Sequence, residues 1–432
     1  MHAVLEYLAV GVLLIAVLLA ASRMIEAPSS TLETVRGEQL LTVAERVIDK
    51  ILLTAGYPPD WGSNVDVNRT CKPGESGLCL SDFGLALQGG APYIVDPDKV
   101  MRLTNLSTLP NPLYLSAENL TCLLGLGTCD ARGNLVRADY GFRLVMKPMI
   151  TARVEALEWQ SFGRGSAATK FRVQVVNWLG EGLPNANVTG VYMIAMVKGG
   201  AAQADEIEGF YDYTGRCVTD ALGYCTLDFS GAIAANPPQG GGGSTPASFL
   251  VLHISWEGFA SVVGYSPVPG GAPLTGYIIG NYVFLSKDYE AGELQYQGRV
   301  SGAVIVKDEV VQVVPLYSTL LDLTEVEWCR NQPSDSAWCQ RVAGNVLPSR
   351  RGAYLIGRIE YLEVLSSHVI VFAKWRGSWT AVAISRIPEV DVSFGPRGAK
   401  PANSVTVTRV TQLYNYPYVV QLTVWRWAEG WP

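Results

Sequence analysis

Histidine is almost missing from this sequence of 432 residues, which contains only His2, His253 and His368. Histidine is the commonest general base and metal ligand near neutral pH. Catalytic sites with a histidine base and metal sites with histidine ligands therefore have few candidate residues here. None of the patterns HExxH, GxSxG, GxGxxG or the P-loop occurs. The sequence therefore predicts a protein that is not an enzyme and that uses no metal or cofactor.

Charge is also scarce, since charged residues make up 17% of the chain and hydrophobic residues 48%. The formal net charge is -6 and no basic run occurs, whereas nucleic-acid-binding proteins usually carry a basic patch. We therefore expect no nucleic-acid partner. The 11 tryptophans and 20 tyrosines suit sheet faces and contact surfaces.

A long apolar run opens the chain, because the nineteen residues from Ala3 to Ala21 include only one charge, that of Glu6. About 20 apolar residues span a bilayer core, so we predict a membrane helix through residues 3-22. A signal-peptide core is the alternative, but the basic region and the small-residue cleavage site of such a peptide are missing.

Apolar residues then recur at helical spacing and predict an amphipathic helix that continues nearly in line from the membrane helix. They are Leu40, Val43, Ala44, Val47, Ile48, Ile51 and Leu52. Gly56 ends the pattern, and Pro58-Pro59 prevents its return.

This opening resembles the type IV pilin-like proteins of archaea. If Met1 is removed, His2 becomes the first residue and Glu6 the fifth, where pilins carry a glutamate in an apolar helix. The resemblance implies that Glu6 neutralises the N-terminal amine of a neighbouring subunit, which would explain a carboxylate in an apolar segment. The stretches AERVIDKILLTAGYPPDWG and DFGLALQGGAPYIVDPDKVMRL extend the resemblance to about residue 103.

The opening departs from the pilin pattern because it has no short basic leader for a prepilin peptidase to remove. Either the true start lies upstream, or the protein is an uncleaved membrane anchor in which Glu6 reaches interfacial water. A cleaved signal peptide is a third hypothesis.

The eight cysteines form four close couples, Cys71/Cys79, Cys122/Cys129, Cys217/Cys225 and Cys329/Cys339. An even count in local couples predicts four disulfides in an oxidising compartment. Zinc is the rival, but its cysteines usually come as CxxC, a spacing that does not occur here. Four sequons, at Asn68, Asn105, Asn119 and Asn187, are candidate glycosylation sites and agree with an extracytoplasmic chain.

From about residue 147 the pattern becomes strand-like, and two stretches resemble immunoglobulin-like modules of bacterial and archaeal surface proteins, including invasin-type repeats. The first match consists of Gly182, Pro184, Ala186 and Val188, and the second of Thr219, Asp220, Ala221, Gly223 and Leu227. The resemblance implies a β-sandwich. Because Cys217 and Cys225 flank the second stretch, we expect their disulfide to staple a hairpin.

The fold class that we predict is mainly β with a long N-terminal α-helix, in which a membrane helix and an amphipathic helix precede β-sandwich domains. The predicted divisions are the helix over 1-56, a small disulfide-stapled α+β region over 57-146, an immunoglobulin-like sandwich over 147-285 and a C-terminal β domain over 286-432.

Two further groups have alternative interpretations. Asp205, Glu206 and Glu208 are candidate calcium ligands, although a solvated loop explains them better. Five tryptophans could form an aromatic platform, although core packing is the preferred interpretation. They are Trp375, Trp379, Trp425, Trp427 and Trp431.

Together these patterns predict a structural pilin-like subunit of an extracellular filament or pseudopilus, assembled through its hydrophobic helix with the β domains outside. The alternative is a permanently membrane-anchored monomeric surface adhesin or carbohydrate-binding protein. Expected partners are copies of itself or other pilin-like subunits, the membrane through residues 3-22, and surface glycans or cells. A secreted hydrolase is a third hypothesis, and it would need two converging carboxylates.

Overall fold

The computed structural model describes residues 38–427 with several gaps. The gaps are 73–74, 76, 108, 131–132, 200–204, 242, 269–274, 287, 291–293, 296–302, 308–309, 315–325, 330–335, 347–353, 360–367, 376, 396–402 and 414–415. The predicted membrane segment 3-22 therefore lies outside the described residues.

The first part of the described chain is mostly helices and loops. Its helices are α1 over 38–53, α2 over Pro97–Met101 and α3 over Ala117–Leu123. Its strands are β1 over Ile94–Val95, β2 over Gly127–Cys129, β3 over Leu135–Ala138 and β4 over Tyr140–Pro148. The carboxylate of Asp96 caps α2 by accepting hydrogen bonds from the backbone N–H groups of Asp98 and Lys99, as expected for an Asp-Pro start.

The next part forms a β-sandwich. Its elements are β5 over Ile150–Phe162, β6 over Gly165–Asn177, β7 over Asn187–Lys198, β8 over Asp205–Val218, β9 over Tyr224–Asp228, α4 over Ser230–Ala235, β10 over Ser244–Trp256 and β11 over Phe259–Tyr265. One sheet has the order β5-β6-β9, and the facing sheet contains β11-β10-β7-β8. Their shared core includes the rings of Phe171, Tyr192 and Phe229.

Ten short strands and one α-helix follow in the described stretches up to residue 385. They are β12 over Tyr277–Ile279, β13 over Tyr282–Ser286, β14 over Tyr289–Glu290, β15 over Leu294–Gln295, β16 over Ala303–Lys307, β17 over Val310–Val314, β18 over Val326–Cys329, α5 over Ala337–Arg341, β19 over Tyr354–Ile359, β20 over His368–Trp375 and β21 over Ser378–Ser385. A π-helical turn, Val342–Val346, continues α5. The sheets have the orders β12-β13-β19-β18 and β14-β20-β21, and β15 joins the edge of the sandwich beside β8.

The last strands return to the first part of the chain. They are β22 over Val390–Phe394, β23 over Ser404–Leu413 and β24 over Tyr416–Arg426, and they build a five-stranded sheet with the order β1-β23-β24-β4-β22. The division of the chain into four consecutive domains stays a prediction. The pairing of β24 and β22 with β4 adds that the second and fourth predicted regions share this sheet.

The strands β7 and β10 are buried on both faces for most of their length. Their inner face packs in the sandwich core, and the outer face packs on the β20-β21 hairpin, where Phe210 of β8 meets Phe372 at 6.0 Å. This double burial explains why the sequence VYMIAMV in β7 is continuously apolar rather than alternating.

The predicted fold class is wrong in its helical part. The described helices are short, and none of those in the described stretches from residue 38 onward is long and apolar enough to cross a membrane. The longest of the described helices, α1, packs against the rest of the described fold. Its apolar stripe, which includes Ala44, Ile48 and Ile51, is fully buried in the core formed with the five-stranded sheet, because an amphipathic helix gains most of its stability from such packing.

Candidate functional site

Disulfides join all four cysteine couples: Cys71–Cys79, Cys122–Cys129, Cys217–Cys225 and Cys329–Cys339. The described part of the chain contains no free cysteine. Four disulfides in one chain indicate an oxidising environment outside the cytoplasm, at the cell surface or in the extracellular space.

The sequence predicted that the Cys217–Cys225 disulfide staples a hairpin, and this prediction is wrong. The first cysteine of the pair ends β8, which pairs with β7, whereas the second lies in β9, which pairs with β6. Because these strands belong to opposite sheets, the disulfide ties the two layers of the sandwich together at one end.

The two stretches that suggested an immunoglobulin-like module contact each other at this end. The hydroxyl of Thr219 donates to the carbonyl of Leu183 at 2.6 Å and accepts from the backbone N–H of Ala186 at 2.8 Å. A Cβ on Gly182 would lie 2.1 Å from the carbonyl oxygen of Leu222, so only glycine fits this close approach. The turn after β8 and the stretch that leads into β7 are therefore held together as one structural unit.

Five large apolar side chains are exposed at the same end, which we call the sandwich end and define by residues 177–187, 217–224 and 256–259. They are 37% to 69% exposed and comprise Leu179, Val218, Leu222, Tyr224 and Phe259. Strand pairing places the end of β8, with Val218, and the end of β10 beside the start of β7, because Asn187 lies opposite both Val218 and Ser255. Grouped apolar exposure of this kind is typical of contact surfaces.

Three of the four sequon asparagines, Asn68, Asn105 and Asn187, are exposed. Asn119 is half-buried in α3, and the hydroxyl-bearing residue of its sequon, Thr121, is fully buried with its hydroxyl bonded to Ala117. The folded chain therefore presents Asn68, Asn105 and Asn187 more openly than Asn119, and glycosylation of all four stays a prediction.

The predicted assembly residues and the candidate calcium ligands lie elsewhere. His2 and Glu6 lie outside the described residues, so their role in assembly stays a prediction. Glu208 accepts hydrogen bonds from Ser244 and from the backbone of Gly241, which gives it a local structural role. Among the described residues, no group of three or more metal-binding side chains forms a cluster.

The tryptophans do not form an exposed platform in the described part. Trp379 and Trp425 are buried in the fold, and Trp427 stacks on Phe394 at 5.1 Å. Trp375 is half-buried, and Trp431 lies outside the described residues. These positions agree with core packing.

A buried group of charges at α2 joins three parts of the chain. The ammonium of Lys99 donates to the carbonyl oxygens of Ala55 and Ala86 at 2.9 and 2.8 Å. Asp98 accepts from the backbone of Gly280 at 3.3 Å and lies 3.7 Å from Arg386. Burial raises the pKa of Asp98 to about 6, although the positive charge of Arg386 opposes this shift.

His368 has a structural position in the adjoining hairpin. Its Nε2 accepts a hydrogen bond from the backbone N–H of Gly264 at 3.0 Å, which joins β20 to β11. Burial lowers the pKa of His368 to about 4, so the imidazole is neutral at physiological pH. A Cβ on Gly264 would lie 2.6 Å from the imidazole, so this contact needs glycine.

A cleft of about 250 Å³ opens along β22, the edge strand of the five-stranded sheet. We call it the edge cleft, and its lining is Leu103, Asn105, Tyr114, Lys147, Glu389, Val390 and Asp391. Lys147 lies on β4 and Asp391 on β22, and the pairing of Val390 with Met146 brings these strands together. The remaining lining residues, Leu103, Asn105 and Tyr114, come from the part of the chain between α2 and α3.

Several polar groups of the edge cleft have no protein partner among the described residues. The ammonium of Lys147, the carboxylate of Glu389 and the hydroxyl of Tyr114 make no hydrogen bond or ion pair there. Asp391 is held by Arg143 through two hydrogen bonds of 2.9 and 2.6 Å. Burial, together with the negative charge of Asp391, raises the pKa of Tyr114, so its hydroxyl keeps its proton and can donate.

Sequence reasoning found Asn105 through its sequon but missed the rest of the edge cleft. Tyr114 and Glu389 are 275 positions apart, and no spacing rule connects them. The signal that could have found them is the pairing of β22 with β4, which is a property of the complete sheet.

Comparisons of the chain with protein-family models, with curated proteins and with solved structures give no match. The resemblances to pilin-like proteins and to immunoglobulin-like modules therefore stay predictions.

Proposed function

We propose that this protein is a structural, pilin-like subunit of an extracellular assembly and that it is not an enzyme. Its N-terminal apolar segment makes the contacts between subunits, and its β-rich body is displayed outside the cell. The observation that carries this proposal is the packing of α1, whose apolar stripe is buried in the core of the described residues. The apolar face of α1 is therefore already covered within the described residues.

The start of α1 supports the same arrangement. The amide oxygen of Gln39 accepts a hydrogen bond of 2.7 Å from Arg426 at the end of β24. This contact ties the start of α1 to the end of β24 in the five-stranded sheet. Near this point Glu38, Gln39 and Thr42 are polar and exposed, as suits a surface that faces water, and the apolar Leu41 beside them is 41% exposed. The four disulfides support display outside the cytoplasm.

Mass spectrometry of the N-terminal peptide from native material tests the proposal. In sheared filaments, we expect a peptide that begins with a free amine at His2. Replacement of Glu6 with Gln should then lower filament yield several-fold, because it removes the charge that complements the amine. Glu38→Gln is the matched control, since Glu38 is exposed at the start of α1, and it should leave the yield unchanged.

An intact Met1 found only in the membrane fraction would contradict the proposal, as would an unchanged filament yield with Glu6→Gln. That outcome would favour the second candidate, a monomeric surface adhesin. The observation in favour of this candidate is the sandwich end, where five large apolar side chains are exposed together. Such a surface can bind a partner without any polymer.

A further inference from the structure

We propose that the edge cleft binds one neutral sugar ring. The proposal goes beyond the structural role, because it assigns a ligand class to a cleft far along the chain from the N-terminal segment.

The polar groups of the cleft suit a ligand whose groups both donate and accept hydrogen bonds. Lys147 and Tyr114 supply donors, whereas the carboxylates of Glu389 and Asp391 accept. Three of these four groups are not used within the described protein, so a ligand can bond them without breaking existing pairs. Each hydroxyl of a sugar is both a donor and an acceptor, and a ring presents several of them at fixed positions.

The charges of the cleft favour a neutral ligand. Lys147 and the neighbouring Arg143 are positive, whereas Glu389 and Asp391 are negative. An anion would meet the carboxylates of Glu389 and Asp391, and a cation would meet the ammonium of Lys147, so either charge would be repelled by part of the lining. A neutral polyhydroxyl ligand avoids this cancellation and uses both kinds of group through hydrogen bonds.

The size and the walls of the cleft favour a single ring. Its volume of about 250 Å³ lies just below the range of roughly 300 to 1,000 Å³ for pockets that hold drug-sized ligands. Leu103 is buried in the wall and Tyr114 is half-buried, so an apolar surface lies beside the charged groups. A pyranose has C–H groups that can contact such a wall while its hydroxyls bond the charged side.

Two sources can deliver this ring. Asn105 lines the cleft and begins a sequon, and the backbone N–H of Asn111 holds its Oδ1 at 2.9 Å. The first sugar of a glycan attached to Asn105 would therefore start at the wall of the cleft. A saccharide from outside presents the same ring chemistry to the same groups.

Ligand-detected NMR on the full chain in detergent tests the proposal. The protein is produced without N-glycosylation, and the probes are glucose, galactose, mannose and N-acetylglucosamine, with glycine as a zwitterionic comparison. We expect saturable binding of at least one sugar. Lys147→Met and Tyr114→Phe should each weaken it about tenfold, because a charged or buried hydrogen bond is lost. Lys72→Met, an exposed change in a distant loop, should leave it unchanged.

Native protein and its Ser107→Ala variant distinguish the two sources, since this change removes the sequon but keeps Asn105. If the attached glycan fills the cleft, only the variant binds free sugar. If the sugar comes from outside, both forms bind equally. The proposal is overturned if no sugar binds the glycan-free protein, if only glycine binds, or if both cleft variants bind like the parent. Filament assembly plays no part in this measurement, so its outcome is independent of the proposed function.

Discussion

Two half-buried residues, Asp98 and His368, respond to acid in opposite directions. Burial raises the pKa of Asp98 to about 6 and lowers that of His368 to about 4. Between about pH 4 and pH 6, the folded chain holds a proton on Asp98 that the unfolded chain has released. Over the same range, the folded chain lacks a proton on His368 that the unfolded chain carries. Stability therefore falls with rising pH through Asp98 and rises with pH through His368.

Replacement of Asp98 with Asn isolates the first of these effects. The amide resembles the protonated carboxyl, and its oxygen can still accept from Gly280. Parent and variant should be similarly stable near pH 4, and the variant should gain by at most about 3 kcal/mol as the pH rises to about 6. Denaturant unfolding at several pH values measures the difference. Asp60→Asn, at an exposed position, is the control, and parallel curves for Asp98→Asn and its parent would contradict the prediction.

At the scale of elements, the turn between β8 and β9 has the local structure that the sequence predicted, but the strands beside it do not form the predicted hairpin. Asp220 accepts from the backbone of Leu222 and Tyr224, and Gly223 adopts a positive φ of 81°, as the turn chemistry predicts. The strands on either side nevertheless pair with different partners. Within its sheet β9 pairs with β6, and the disulfide ties it in addition to β8 of the facing sheet.

Removal of the Cys217–Cys225 disulfide by a double change to alanine should loosen β9 in particular. Closure of a loop of this length contributes about 2.5 kcal/mol in the chain-entropy account. We expect the free energy of unfolding to fall by about that amount and the amides of β9 to exchange hydrogen faster. The Cys71–Cys79 pair has the same sequence separation of 8. Its removal should cost a similar free energy and leave β9 protected, and equal exchange in both variants would contradict this role.

For the whole molecule, the five-stranded sheet joins distant parts of the chain. It combines β4 with the last three strands, and α1 packs in the core that this sheet forms. The sandwich and the later sheets are therefore inserted between two strands that lie side by side, β4 and β22. A substitution that destabilises the C-terminal strands should consequently also destabilise α1.

Leu422→Ala tests this long-range connection. Leu422 is fully buried in β24 and belongs to the same core as α1, so the change should cost about 2 to 5 kcal/mol. Hydrogen exchange should show faster opening of α1, although about 370 residues separate the two elements. Val410→Ala on β23, which is 55% exposed, should change stability by no more than about 0.5 kcal/mol. Full protection of α1 in Leu422→Ala would show that the helix is stable without the sheet.

The sequence by itself determined features that depend on short spacing. The helical stripe of α1, the alternation that puts Val420, Leu422 and Val424 of β24 on one face, and the four local disulfides all follow from residues that are close along the chain. Helical and strand periodicity and the closure of short loops are local properties, so one stretch is enough to predict them.

Tertiary structure alone decided what covers each face. The stripe of α1 predicted burial but could not show that it shares one core with β23 and β24. The continuous apolar run of β7 is explained only by the β20-β21 hairpin, which packs on the second face of this strand. The edge cleft exists because β22 pairs with β4 and brings Glu389 near Lys147. These contacts join residues hundreds of positions apart, and pairing between distant strands depends on the complete core rather than on any local pattern.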